Sequence, residues 1–245
     1  MNVALPLTST IISFIAAILV FDQYLNRHKP YQLVWTVGFV WFGVSACTEF
    51  LGSSLGWSET LYRVWFLFGA YLVAAYLGMG TTYLLTPRRF AHAVMALLLL
   101  GTVYAAYLVL TAPVDLSQLP KLGEIPTSAP LPQYVRSTLL IVFNSFGTIA
   151  LVAGALYSAW VFVRKGILRR RVASNVLIAL GTIVVASGGS LHRAGMPQFF
   201  FAAELGGILL IFLGFLVSID IFEEFKVPFV KVTLGHRRPR SGGGN

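Results

Sequence analysis

The sequence contains little charge and only one cysteine. Asp, Glu, Lys and Arg make up 11% of its 245 residues, whereas hydrophobic residues make up 57%. A soluble domain of this length cannot bury so much apolar surface. The single cysteine, Cys47, excludes an intrachain disulfide and any metal site built from several cysteines. The composition therefore predicts one membrane domain with no soluble domain attached.

Several cofactor signals are also missing. Residues 199–224, the last apolar segment, contain no lysine that could form a Schiff base with retinal. The four histidines do not form a pair at one depth of a membrane helix, which argues against bis-histidine haem, and they are too few for a zinc site on one face. No His-Glu-x-x-His motif is present. The sequence therefore names no cofactor or metal, and no motif assigns an enzymatic activity.

Seven apolar segments are long enough, or nearly so, to cross a membrane. A helix rises about 1.5 Å per residue, so about 20 apolar residues cross a hydrocarbon core of about 30 Å. We expect an all-α, seven-transmembrane helix bundle in residues 1–224 and a basic, partly disordered cytoplasmic tail in residues 225–245. The predicted helices cover residues 5–25, 33–51, 60–85, 90–110, 134–163, 172–187 and 199–222.

The third segment is expected to be the centre of the bundle. It carries small residues at helical spacing, which allow neighbouring helices to approach closely in lipid. They are Gly69, Ala70, Ala74, Ala75, Gly78 and Gly80.

Two connections have distinctive compositions. Residues 111–133 contain five prolines, which argue against a regular element. Residues 186–190 read Ala-Ser-Gly-Gly-Ser and predict the end of the sixth helix, either as a plain loop start or as a helix opened towards a ligand.

Lysine and arginine are distributed unequally between the two ends of the predicted bundle. The loops after helices 1, 3 and 5 and the tail hold fourteen of them, and the opposite side holds four. Basic residues concentrate in cytoplasmic loops, so the N-terminus is expected outside and the C-terminus inside a plasma membrane. We expect the basic loops to meet anionic lipid headgroups, with a membrane or cytoplasmic protein partner as an alternative. This distribution explains the net charge of +9 without a nucleic-acid partner.

Ionisable residues from five segments fall near the predicted outer face. Charged groups in a membrane need partners, because burying them is costly. One interpretation is an outward ligand pocket, in which arginines bind a carboxylate or phosphate and aromatic residues form the wall. The other is a set of structural ion pairs that join Glu49 and Glu204 to Arg63 or Arg136. The candidate site residues are Glu49, Arg63, Trp65, Arg136, His192, Arg193 and Glu204.

Predicted helices 2 and 3 carry a set of aromatic, glycine and charged positions: Trp35, Trp41, Phe42, Glu49, Tyr62, Arg63, Trp65, Phe68, Gly69, Gly78, Thr81, Tyr83 and Leu84. In these residues the two helices resemble the seven-helix N-terminal sensor region of some bacterial histidine kinases. The resemblance implies a sensing bundle that feeds a kinase or cyclase. No segment resembling a catalytic output domain follows helix 7, so the resemblance implies a stand-alone bundle whose output comes from a separate partner.

Three functions remain open from the sequence. The first is a non-enzymatic, receptor-like membrane sensor with an outward polar pocket and a role in signal transduction. The second is an integral subunit or scaffold of a larger membrane complex. The third is a small transporter or an intramembrane enzyme.

Overall fold

The computed structural model describes residues 3–122, 124–136, 138–164, 169–193, 196 and 199–218. Within its helices, the side chains of residues 162, 169–172, 175, 189, 190, 192, 193 and 218 lie outside the description. The described chain is helical and contains no strand. Its α-helices are α1 (Ala4–Arg27), α2 (Pro30–Leu55), α3 (Glu59–Trp65), α4 (Val73–Leu85), α5 (Arg88–Thr111), α6 (Thr138–Arg164), α7 (Arg169–Arg193) and α8 (Phe200–Ser218).

A π-helical segment, Phe66–Leu72, joins α3 to α4. The three run on as one apolar helix of 27 residues, Glu59–Leu85, which we call the central helix. The connection between α5 and α6 contains a short 3₁₀ turn, Leu116–Gln118, although its prolines predict no regular element.

Six of the described helices are long and apolar enough to cross a membrane, by length and composition. They are α1, α2, the central helix, α5, α6 and α8. The remaining long helix, α7, has a shorter apolar stretch, Val176–Gly188. These helices give the architecture of a multi-pass helical membrane bundle.

The helix ends follow from local residue chemistry. α1 ends where His28 adopts a left-handed conformation (φ 49°), and Pro30 then occupies the first turn of α2, where its missing N–H is tolerated. α2 ends at Gly56 with a φ of 96°, a value that a residue without a Cβ adopts readily. Ser58 caps the central helix, since its hydroxyl accepts a hydrogen bond from the backbone N–H of Leu61 at 3.2 Å.

Five helices surround the interior of the bundle: α2, the central helix, α6, α7 and α8. Neighbours in this series pack along their lengths, and Phe215 of α8 stacks edge-on against Trp35 and Phe39 of α2, which closes the ring. α1 packs outside α2 and α8, and α5 packs outside the central helix. Most of the α5 surface is exposed, consistent with contact to lipid.

Small residues allow two of these crossings to be tight. A Cβ added to Gly78 of the central helix would lie 2.7 Å from the Cα of Gly147 on α6. A Cβ added to Gly181 of α7 would lie 2.6 Å from the carbonyl oxygen of Gly207 on α8. A side chain at either position would push the helices apart, so backbone contact replaces side-chain packing there.

Among the described residues, the observed helix bounds differ from the predicted ones by four residues or more at three ends. α2 continues to Leu55 rather than ending at residue 51. α6 begins at Thr138 rather than at residue 134, because residues 133–135 form turns. α7 continues through residues 186–190 to Arg193, so the glycine pair neither starts a loop nor opens the helix. The predicted basic tail, residues 225–245, lies outside the described residues.

Candidate functional site

A cavity of about 690 Å³ lies inside the ring of five helices. Residues 126–128 of the connection after α5 complete its wall. The deeper wall is mainly apolar, and hydroxyl and amide groups are spaced along α2, α6 and α7. This volume and this mixture are typical of small-molecule sites. The wall includes Phe42, Val73, Leu77, Leu151 and Ile211 as apolar residues and Ser45, Asn144, Ser145, Thr148 and Thr182 as polar ones.

Two carboxyl groups face each other at one end of the cavity. Glu49 comes from the last turns of α2, and Glu204 from the first turns of α8. The two groups lie within interaction distance of each other, and Glu49 is only 1% exposed. The Oε2 atom of each is buried and has no hydrogen-bond partner among the described atoms other than the facing carboxyl group. These two oxygens are the unsatisfied polar groups that line the cavity.

Trp65 connects this carboxyl pair to an aromatic cluster. Its indole Nε1 donates a hydrogen bond of 2.6 Å to Oε1 of Glu49. The rings of Trp57, Tyr62 and Phe66 lie 5.7 to 6.1 Å from the Trp65 ring, centroid to centroid. Interlocked rings hold a neighbour in one rotamer, so the cluster fixes the indole and, through it, the Glu49 carboxyl.

The π-helical segment forms the adjoining wall. Its wider turn is marked by the hydrogen bond from the N–H of Val73 to the carbonyl of Phe68, five residues earlier. Nδ2 of Asn144 on α6 donates to the carbonyl of Ala70 at 2.7 Å and so fixes this turn to the neighbouring helix. Gly69 lies against the hydroxyl of Ser45, where an added Cβ would clash. π-helical turns recur at functional sites because they displace side chains without breaking the helix.

Residues 112–136, which we call the cap segment, cover this end of the bundle, with residue 123 outside the description. The Tyr62 hydroxyl donates to the carbonyl of Thr127 at 2.7 Å, and the Tyr71 hydroxyl donates to the carbonyl of Val135. Both tyrosine side chains are fully buried. The central helix therefore holds the cap segment over the cavity by two hydroxyl contacts.

Arg63 fixes the start of the cap segment. Its Nη2 donates to the carbonyl of Ala112 at 2.8 Å and its Nη1 to the carbonyl of Val109. These carbonyls end α5 and have no partner within that helix. Nη2 also pairs with the Glu59 carboxylate at 2.6 Å. Arg63 therefore closes the end of α5 from the neighbouring helix.

The cap segment has its own internal hydrogen bonds. The Asp115 carboxylate accepts from the hydroxyl and N–H of Ser117 and from the Gln118 amide, and these bonds lower the pKa of Asp115. The Asp115 N–H donates to the carbonyl of Pro130 at 2.9 Å, which joins the two halves of the segment.

Three of the sequence-predicted site residues meet in the cavity. They are Glu49, Trp65 and Glu204, from three different helices. Their meeting is the part of the predicted pocket that the described structure contains.

The remaining predicted residues lie elsewhere or cannot be placed. Arg63 and Arg136 do not line the cavity; Arg136 is exposed at the end of the cap segment. The side chains of His192 and Arg193 lie outside the described residues.

Neither predicted arrangement of charges is found where the side chains are described. The ion pair there joins Arg63 to Glu59, one turn away on the same helix, and not to either cavity carboxyl. A ligand carboxylate or phosphate would meet two carboxyl groups rather than the two arginines. No group of three or more His, Cys, Asp or Glu residues suited to a metal ion occurs among the described side chains.

Sequence reasoning missed the polar residues of the α6 wall. Asn144, Ser145 and Thr148 fall on one side of that helix, at spacings of one, three and four residues. Asn144 also donates a hydrogen bond to the neighbouring central helix, at the carbonyl of Ala70. The stripe itself was the available signal, because polar residues on a membrane helix face the protein interior.

Comparison of the chain with protein-family models, curated proteins and solved structures finds no match. The class is therefore given by the helices and the cavity: a multi-pass helical membrane protein with a partly polar internal cavity.

Proposed function

We propose that this protein is a receptor-like membrane sensor that binds a small molecule inside its helix bundle and signals through a separate partner. The observation that carries the proposal is the cavity of about 690 Å³, lined by five helices, with two buried carboxyl oxygens that have no partner among the described atoms beyond each other. Protein interiors are normally close-packed, and a polar cavity of this size holds water or a ligand rather than nothing.

The proposal includes seven spans with the N-terminus outside. α7 supplies the seventh span, because its 25 residues would extend about 37 Å as a helix. The cavity carboxyls lie at the bundle end that carries four of the eighteen lysines and arginines. By the positive-inside rule this is the outer end of a plasma-membrane protein, so the cavity faces outward.

A ligand in this cavity would touch the elements that are best suited to transmit its presence. The central helix contributes both the π-helical segment and the contacts that hold the cap segment. A ligand shifts a conformational equilibrium only by binding one state more tightly than another. We propose that the two states, which differ in their affinity for the ligand, differ in the conformation of the π-helical turn.

The test is a native purification in mild detergent, with mass spectrometry of every co-purifying protein and small molecule. A variant that fills the cavity, Thr148→Phe, is compared with Ile149→Phe, whose neighbouring side chain is 65% exposed and does not line the cavity. We expect one small molecule per chain in the unsubstituted protein and in Ile149→Phe, and its loss in Thr148→Phe.

The opposite result would be stoichiometric protein partners together with identical small-molecule profiles in both variants. It would favour an integral subunit of a larger membrane complex over a sensor.

A further inference from the structure

The carboxyl pair of Glu49 and Glu204 also restricts the chemistry of the ligand group that can bind beside it. Glu49 has one oxygen bound to Trp65, and among the described atoms its Oε2 and the buried Oε2 of Glu204 have no partner other than the facing carboxyl group. Buried acceptor atoms that no donor satisfies leave hydrogen-bonding capacity for a ligand. The end of the cavity therefore favours a ligand group that donates at least two hydrogen bonds.

The charge at this end favours a cation. Two ionised carboxyl groups repel strongly at short range in a medium of low dielectric constant, so the pair either shares a proton or takes up a positive group between the two. Besides the pair itself, the described polar residues that line the cavity are Ser45, Trp65, Thr127, Ser128, Asn144, Ser145, Thr148 and Thr182. None of these carries a positive charge.

Aromatic faces surround the same end. Trp65, Phe66 and Phe200 line the cavity next to the carboxyls. Aromatic rings attract ammonium groups, and tryptophan does so most strongly. Carboxyl oxygens beside aromatic faces suit an ammonium better than a strongly hydrated metal ion.

The apolar residues of the deeper wall favour an apolar body for the rest of the ligand. Phe42, Leu77, Leu151 and Ile211 line it, and the side chain of Thr148 lies among them. Burial of apolar ligand surface there contributes about 25 cal/mol per Å².

We propose that the cavity binds an organic ammonium ion with an apolar body, whose ammonium lies between Glu49 and Glu204. This inference rests on the proposed function and narrows its ligand class. A free amine and the headgroup of an aminolipid share this chemistry.

The test uses three probes with the same chain and different head groups. The purified full-length protein in an uncharged maltoside detergent is melted with n-octylammonium, octan-1-ol or octanoate at pH 7. We expect a saturable rise in Tm with n-octylammonium alone. Equal effects of n-octylammonium and octan-1-ol would overturn the proposal, and this series needs no variant.

Isosteric variants assign the effect to the carboxyl pair. Glu49→Gln and Glu204→Gln should each raise the dissociation constant of n-octylammonium about tenfold or more, since each loses a charge-assisted hydrogen bond. Glu59→Gln is the matched control at the same end of the bundle, outside the cavity, and should bind as the unsubstituted protein does. An equal loss in all three variants would overturn the assignment.

Two further comparisons are needed. One distinguishes a free amine from a lipid headgroup, and the other distinguishes failure of the ammonium proposal from failure of the proposed sensor function. A Tm rise with phosphatidylethanolamine, but not with phosphatidylglycerol, that depends on Glu49 indicates a lipid headgroup; a response to n-octylammonium alone indicates a free amine. If octan-1-ol or octanoate stabilises the protein and Thr148→Phe abolishes that stabilisation, the ammonium proposal is wrong. The proposal that the cavity binds a ligand then still stands. No stabilisation by any probe overturns the ammonium, and the native purification then decides the proposed function separately.

Discussion

Trp65 is the residue on which the geometry of the carboxyl pair depends. Its indole is the described hydrogen-bond partner of Glu49, and its ring is fixed by three aromatic neighbours. A buried acceptor that loses its donor keeps its full desolvation cost. Trp65 therefore both stabilises the fold and orients the carboxyl group of Glu49.

Trp65→Phe should lower the free energy of unfolding by about 1–3 kcal/mol, because it leaves both oxygens of Glu49 unsatisfied. Trp57→Phe is a matched control, since the buried Nε1 of Trp57 has no partner among the described atoms. It should lower the free energy by less than half as much. Denaturant unfolding in mixed micelles measures both values, and equal losses would contradict the role given to the Trp65 hydrogen bond.

Three of the residues that the sequence predicts in one pocket line the cavity, whereas Arg63 and Arg136 do not. Glu49, Trp65 and Glu204 were recognisable because charge and indole groups inside apolar segments need partners. Arg63 was expected in the same pocket, since it lies at a similar depth. Depth does not specify which way a side chain points around the helix, and Arg63 extends to the end of α5 instead.

The central helix and the cap segment form the element that closes the cavity. Tyr62, Arg63 and Tyr71, all on the central helix, contact backbone carbonyls at both ends of the segment. The segment is rich in proline, and most of its internal hydrogen bonds join residues two or three positions apart. Its position over the cavity therefore depends on the central helix.

Arg63→Ala should loosen the cap segment without unfolding the bundle. It frees the carbonyls of Val109 and Ala112, so we expect hydrogen exchange of the N–H groups in residues 112–122 to accelerate about tenfold or more, the effect of losing one to two net hydrogen bonds. Arg136→Ala is the control, because Arg136 is exposed and does not contact the end of α5. Exchange measured by mass spectrometry that is unchanged in Arg63→Ala would contradict the account.

The helices themselves were predicted within a few residues, because apolar length and breakers such as Pro30 and Pro87 mark them. The π-helical segment could not be predicted in the same way. It adds a wider turn without a polar residue, a proline or a change of hydropathy, so Phe66–Leu72 looks like ordinary helix in the sequence. Tertiary contacts select the π-helical turn. Gly69 packs against Ser45, and Asn144 donates a hydrogen bond to the carbonyl of Ala70.

The whole molecule is a ring of five helices with α1 and α5 outside it. The sequence predicted the number of apolar segments but not which of them enclose the cavity. That choice depends on pairwise contacts between distant glycines, such as Gly78 with Gly147 and Gly181 with Gly207. Small residues occur at many positions of these helices, so the sequence alone does not identify the pairs that meet.

The central claim is a water-accessible cavity that opens to the outside. The most direct test replaces the native cysteine, Cys47→Ser, and introduces either Thr148→Cys or Ile149→Cys. A membrane-impermeant, cationic thiol reagent is then added to one side of sealed vesicles of known orientation. We expect Thr148→Cys to react from the outer side only and Ile149→Cys, on the lipid-facing surface of α6, from neither side. Equal protection of both cysteines, or reaction of Thr148→Cys only from the cytoplasmic side, would contradict the account.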